Sequence, residues 1–148
     1  MTAFQAALEG VQKLGIDTAP LIYFVESHPD YAPLTRIVIE RAEAGELKLV
    51  TSTLTLTEVL TLPFQKQAAA IADAYKAILL GSSYTDVLPI DVEIAERAAR
   101  LRVQYRLKTP DALQIAVALH SNCGAFLTND DGLKRVRDLP VLVLSDFG

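Results

Sequence analysis

The stretch that most limits how this chain can fold is residues 109–119, Thr-Pro-Asp-Ala-Leu-Gln-Ile-Ala-Val-Ala-Leu. Thr109 is suited to cap a helix, Pro110 to its first position and Asp111 to its first turn. With histidine counted as neutral, the next charged residue after Asp111 is Asp130. A helix that is apolar on nearly every side must be buried on nearly every side. One carboxylate therefore stands at the mouth of a core helix. Taken alone, Asp111 simply answers the helix dipole, which favours an acid in the first turn. Its meaning depends on whether other isolated carboxylates occupy matching places.

Elsewhere, short apolar strands alternate with helices. Strands are predicted at 14–17, 47–51, 86–90, 125–128 and 141–144, with Pro89 confining the third to a sheet edge or a strand end. Helices are predicted from Pro20 to about Glu26 and from Leu34 to Ala42, the latter ended by Gly45. Others run over 54–62 up to Pro63, over 65–80 and over 91–105, and a short one starts at Asp130. Residues 1–12 suggest an extra N-terminal helix with Phe4, Leu8 and Val11 on one side. The alternation argues for an α/β domain whose parallel sheet is covered on both faces. At 148 residues, with 51% hydrophobic and 22% charged residues and no repeat or linker, one domain is expected over 1–148.

The formal net charge of −4 predicts no strong non-specific pull on nucleic acid. A nucleic-acid partner would need local compensation, from arginines or from divalent cations. Cys123 is the single cysteine, which excludes an intrachain disulfide and a cysteine-rich zinc site and suits a reducing cytoplasm. No basic leader opens the chain and no apolar run reaches membrane-spanning length, so a cytoplasmic chain without a membrane partner is expected.

Isolated carboxylates do recur. Asp17 is the only charge between Lys13 and Glu26, at the end of the first strand. Glu58 is the only charge between Lys48 and Lys66, and Asp130 follows Leu-Thr-Asn directly after a strand. In a parallel sheet the carboxyl ends of strands and the helix starts that follow share one edge, where ligands bind. Asp17, Asp111 and Asp130 fall at such junctions and Glu58 lies near one. Carboxylates that converge in a partly apolar cleft do not all stay ionised unless a cation joins them. Oxygen donors without a histidine or cysteine cluster suit Mg²⁺ or Mn²⁺. Such a site hydrolyses phosphoesters by acidifying a bound water and clamping a phosphate oxygen. Each acid also has a plainer role: a helix cap for Asp17, a solvent-facing side chain for Glu58, a turn acid for Asp130. Glu58 is the most telling, because an unpaired carboxylate in an apolar helix is costly.

Four motifs lie in order along nearly the whole chain: Ile16-Asp17-Thr18, Thr57-Glu58-Val59-Leu60, Leu107-Lys108-Thr109-Pro110-Asp111-Ala112-Leu113 and Phe126-Leu127-Thr128-Asn129-Asp130. In these the chain resembles PIN-domain proteins, and among them the small bacterial VapC-type toxins. The resemblance implies a three-layer α/β/α fold around a central parallel sheet. It implies a metal-dependent endoribonuclease whose catalytic and metal-binding acids are Asp17, Glu58, Asp111 and Asp130. Thr18 and Thr128 match polar pocket positions, and Asn129 is a turn residue that could reach a phosphate. The Thr-x-Asp pattern favours Asp130 over Asp131 as the fourth acid. A homodimer and a small cognate antitoxin covering the acidic pocket are also implied. The chain departs from the family in the dozen residues before its first strand.

His28 lies in a proline-flanked turn and His120 at a helix end, neither beside a motif acid. RNA cleavage through the 2′-hydroxyl then lacks its proton-transfer pair, and water activated by the metal is the expected nucleophile. The expected products carry a 5′-phosphate and a 3′-hydroxyl. Arg97 and Arg100 have helical partners in Glu93 and Glu96, which leaves Arg102, Arg106 and Lys108 for the RNA backbone. Lys134, Arg135 and Arg137 form a second basic group, and no aromatic–basic interleaving indicates base preference. Two other functions fit the sequence: a PIN-fold RNA- or partner-binding protein that does not cut, and a metal-dependent DNA nuclease or phosphatase.

Overall fold

Strands β1 (Lys13–Ile16), β2 (Lys48–Ser52), β3 (Thr85–Leu88), β4 (Ala125–Thr128) and β5 (Val141–Val143) form one sheet in a computed structural model that describes residues 1–148. The order is β3-β2-β1-β4-β5 and every pairing is parallel. β3 is an edge strand and Pro89 lies just past its end, so the proline removes no ladder hydrogen bond.

Seven α-helices cover the sheet in two layers: α1 (Ala3–Leu8), α2 (Thr18–Val25), α3 (Ala32–Glu43), α4 (Thr53–Gln65), α5 (Ala69–Leu79), α6 (Val92–Tyr105) and α7 (Thr109–His120). Strand residues alternate between the layers, as the two-residue period of a strand requires. Leu14, Ile16, Leu49, Ala125 and Leu127 face a core built with α1 to α5. Val50 and Phe126 face the other core, built with α6, α7 and the segment carrying Leu133, Val136 and Leu139. The apolar helix α7 packs against β1, β2 and β4, which accounts for its burial.

Several element ends differ from the sequence expectation for local reasons. Lys108, not Thr109, precedes the first turn of α7; Thr109, Pro110 and Asp111 are its first three residues. Pro63 does not stop α4, which continues to Gln65. The break falls at Gln67, whose left-handed backbone (φ 54°) separates α4 from an α5 that starts only at Ala69. A proline in the last turn costs one helical hydrogen bond, and the helix closes around it through Lys66 N–H to Leu62 O and Ala68 N–H to Pro63 O. The N-terminal helix ends at Leu8, short of residue 12, and is capped reciprocally by Thr2 and Gln5. Phe4 and Leu8 are fully buried, and Phe4 packs on Phe147, so this segment seals one face of the core. No helix is long and apolar enough to cross a membrane.

Gly15 shows how closely α7 approaches the sheet. A Cβ there would stand 2.7 Å from Ala118 Cβ and 2.9 Å from Phe126 Cδ1. Gly15→Ala is expected to cost about 3 kcal/mol through overpacking, read as a lower urea midpoint with an unchanged m-value.

Candidate active site

The carboxyl edge of the sheet gathers the acids singled out in the sequence. Asp17 directly follows β1 and is the N-cap of α2, its Oδ1 accepting the Thr18 backbone N–H at 2.9 Å. Its Oδ2 accepts the hydroxyl of Thr128, the last residue of β4, at 2.8 Å. Thr128 is fully buried, and its Oγ1 in turn accepts the Asp130 N–H at 3.1 Å. The ends of β1 and β4 are thus tied through Asp17. Asp130 Oδ1 accepts the Gly132 N–H at 2.9 Å and caps a short 3-10 turn at Asp131–Arg135. For Asp17 and Asp130, then, the cap role and membership of the cluster coexist.

Glu58 corrects one step of the sequence argument. It lies on the exposed side of α4, so its cost of burial is small and the desolvation argument made for it does not hold. What links it to the cluster is a hydrogen bond: Thr18 Oγ1 donates to Glu58 Oε1 at 2.8 Å. Thr18 therefore contacts Asp17 through its N–H and Glu58 through its hydroxyl. Asp111 sits half-buried in the first turn of α7.

Two of the acids, Asp17 and Asp111, are perturbed. Burial pushes the Asp17 carboxyl above its ordinary value, its hydrogen bonds from Thr128 and Thr18 pull it back, and the charges of Glu58 and Asp130 push it up further. Asp111 is also raised, first by burial, then by Asp17 and Asp130; Lys108 opposes this and Glu58 adds to it. Asp131 takes no part in either shift. It pairs instead with Lys134 Nζ at 3.0 Å, which also reaches Asp146. Asp130 is therefore the acid that faces the cluster. The side chains are within Coulombic reach but are not drawn to one point: no three His, Cys, Asp or Glu side chains have the spacing to hold an ion. Asp17, Glu58 and Asp130 are each held by local hydrogen bonds instead.

Sequence reasoning missed the layer beneath the acids. Gln114 on α7 is buried; its Nε2 donates to Thr55 Oγ1 at 2.6 Å and its Oε1 accepts from Ser52 Oγ at 2.9 Å. Thr55 Oγ1 lies 2.9 Å from Thr51 Oγ1 and 3.2 Å from Thr18 Oγ1. Two signals could have found this network. Gln114 is the one polar residue between Asp111 and His120, and residues 51–55 read Thr-Ser-Thr-Leu-Thr.

The basic candidates divide. Lys108 stands near enough to Asp111 to lower its pKa. Arg102 donates from Nε to the Leu107 carbonyl at 3.1 Å, while Arg106 ends α6 in the left-handed conformation (φ 55°). Both line a groove of about 860 Å³ together with Ala98, Ala99, Val103 and Leu113. Glu96 pairs with Arg100 as expected, but Glu93 approaches His120, at 4.0 Å, rather than Arg97. Asn129 is engaged outside the acids: its amide donates to Tyr23 OH at 3.2 Å and accepts the Ser145 N–H at 2.9 Å. It ties α2 to the last turn of the chain.

A family model described as PIN domain matches residues 15–139. The chain belongs to the PIN-domain family. The PIN match begins inside β1, so α1 lies before it. No curated protein sequence matches the chain significantly. Among solved structures, a chain of the Rickettsia felis VapBC2 complex, bound to a promoter DNA fragment, superposes with a TM-score of 0.68 at 16% identity. That alignment covers 89% of this chain and 98% of the other. A toxin–antitoxin complex from Klebsiella pneumoniae gives 0.65 at 23% identity, covering 90% and 98%. VapC20 of Mycobacterium tuberculosis, described as a toxin cleaving the sarcin–ricin loop, gives 0.61 at 17% identity, covering 78% and 87%. At these identities the likeness is one of fold.

Proposed function

We propose that this PIN-domain chain is a divalent-cation-dependent endoribonuclease, acting as the toxin of a toxin–antitoxin pair. The observation that carries the reading is the placement of Asp17, Asp111 and Asp130 at helix starts along the carboxyl edge of the sheet, with Glu58 tied to them through Thr18; burial and neighbouring acids raise the carboxyls of Asp17 and Asp111 there. Carboxylates held at such a cost are relieved by a cation. The donor set, oxygen only, fits Mg²⁺ or Mn²⁺, and Asp17, Glu58, Asp111 and Asp130 are the residues that would hold it. When bound, such an ion acidifies a water and offsets the charge of a phosphodiester.

The chain's own residues do the positioning. Thr128 fixes one oxygen of Asp17 and the Thr18 amide fixes the other. The Thr18 hydroxyl orients Glu58, and the stiff apolar body of α7 anchors Asp111. Lys108 supplies a positive charge beside Asp111, and Arg102 and Arg106 stand at a largely apolar groove next to it, where their charges are available to a phosphate backbone. The histidines are placed elsewhere. His28 packs among Tyr23 and Tyr31 with Nδ1 accepting two backbone N–H groups, and His120 approaches Glu93 at the far end of α7. In-line attack by water is thus favoured over attack by the 2′-hydroxyl.

The solved structures of similar fold include toxin–antitoxin complexes, which supports a small protein antitoxin as partner; a homodimer is proposed on the family resemblance. The test compares RNA, single- and double-stranded DNA and a simple phosphoester, each with Mg²⁺, Mn²⁺ or EDTA. Cleavage of RNA alone, lost in EDTA, with 5′-phosphate and 3′-hydroxyl ends is expected. A 2′,3′-cyclic phosphate or undiminished cleavage in EDTA contradicts the mechanism. DNA or phosphoester turnover would reassign the substrate. Ion-dependent RNA binding without cleavage would make the chain a binding protein.

A further inference from the structure

We infer that Gln114 is a positioning residue for Glu58, acting through the hydroxyls of Thr55 and Thr18; the inference rests on the reading that Glu58 serves an ion site. Gln114 lies one helical turn beyond Asp111, on the same side of α7, and points into the core beneath the acids. A buried amide is retained at a cost unless its polar atoms find partners, and here both the oxygen and the nitrogen do.

The donors and acceptors fix a direction. Ser52 Oγ accepts the Leu54 N–H, so its single proton goes to Gln114 Oε1. That sets the amide with Nε2 toward Thr55, at 2.6 Å, and toward Thr18, at 3.5 Å. At the other end the Glu58 carboxylate takes the only hydroxyl proton of Thr18. Thr18 Oγ1 is then left to accept from Thr55, whose oxygen accepts from both Gln114 and Thr51. Every O–H in the sequence Thr51, Thr55, Thr18 points toward Glu58. Gln114 and the Glu58 carboxylate hold that polarity from its two ends, because an N–H can only donate and a carboxylate can only accept. Aligned hydrogen bonds strengthen one another.

The consequence falls on Glu58 because Thr18 is its one hydrogen-bond partner, and an exposed glutamate otherwise samples many rotamers. With an apolar residue at 114, Thr55 is free to turn its proton to Thr51, and the tether on Glu58 weakens. Support behind a ligand of this kind typically changes ion affinity or activity about 10- to 100-fold.

Gln114→Met keeps the length and apolar fit and removes the donor, while Thr55→Val cuts the chain at its next link and keeps the shape. In ion-free protein the side-chain carboxyl ¹³C resonance of Glu58 is expected to move in both variants. Titration with Mn²⁺ alone is expected to show binding weakened by about tenfold in each, and by no more than Glu58→Gln alone when combined with it. A lower melting temperature with an unmoved Glu58 resonance in both variants overturns the inference and leaves Gln114 a packing residue. Absence of Mn²⁺ binding in the wild type defeats the nuclease reading instead, and the ion-free resonance still decides the role of Gln114.

Discussion

Asp17→Asn lowers RNA cleavage by more than about 100-fold, beyond the loss typical of a supporting residue, and yields a protein that melts at a higher temperature than the wild type when no cation is added. The two effects have one cause. Burial and the charges of Glu58 and Asp130 penalise the ionised Asp17 carboxyl, and asparagine removes that penalty while keeping an oxygen to accept the Thr18 N–H. The same change removes the anionic oxygens a cation needs. A gel assay on RNA together with calorimetry in EDTA reads both outcomes. Retained cleavage in the variant removes Asp17 from the site; a lower melting temperature shows that its cap role dominates its charge.

Divalent cations are expected to invert how stability depends on pH. Asp17 and Asp111 both titrate above the ordinary carboxylate value in the folded chain. As pH rises from about 4, the unfolded chain gives up these protons first and the folded chain binds more of them. Stability linked to these groups is therefore complete below the unfolded value and falls as pH climbs through the folded values. Mn²⁺ or Mg²⁺ binds the deprotonated folded form, so its stabilisation grows over the same range. At neutral pH an ion concentration about 100-fold above its Kd adds about 2.7 kcal/mol, which raises the melting temperature by several degrees. Melting curves from pH 4 to 8, in EDTA and in Mn²⁺, check the sign. Parallel curves would mean that these carboxylates do not bind the ion.

The sheet was legible because β1, β2 and β4 are short apolar runs, and because α7 is too apolar to lie anywhere but against them. Helix ends were less legible. Pro63 reads as a stop but is tolerated in the last turn of α4, and the left-handed residue that breaks the chain is Gln67, which has no marked preference for that conformation. The acids stood out in sequence as isolated charges at strand ends, yet Glu58 was singled out for burial and is instead exposed and hydrogen-bonded to Thr18. Asn129 looked like a pocket group from its place beside Asp130, whereas its amide is occupied by Tyr23 and Ser145. Nothing in the sequence marks the partners of Gln114, which lie 59 and 62 residues away, on another helix and strand. Spacing along one element carries no record of such pairings.

The measurement that bears most directly on the site is a crystal soaked in Mn²⁺ with data collected at the manganese edge. Anomalous density is expected at the carboxyl edge of the sheet, bonded to Asp17 and bounded by Glu58, Asp111 and Asp130, with Asp131 still paired to Lys134. Density elsewhere on the chain, or none at saturating Mn²⁺, would contradict this site assignment.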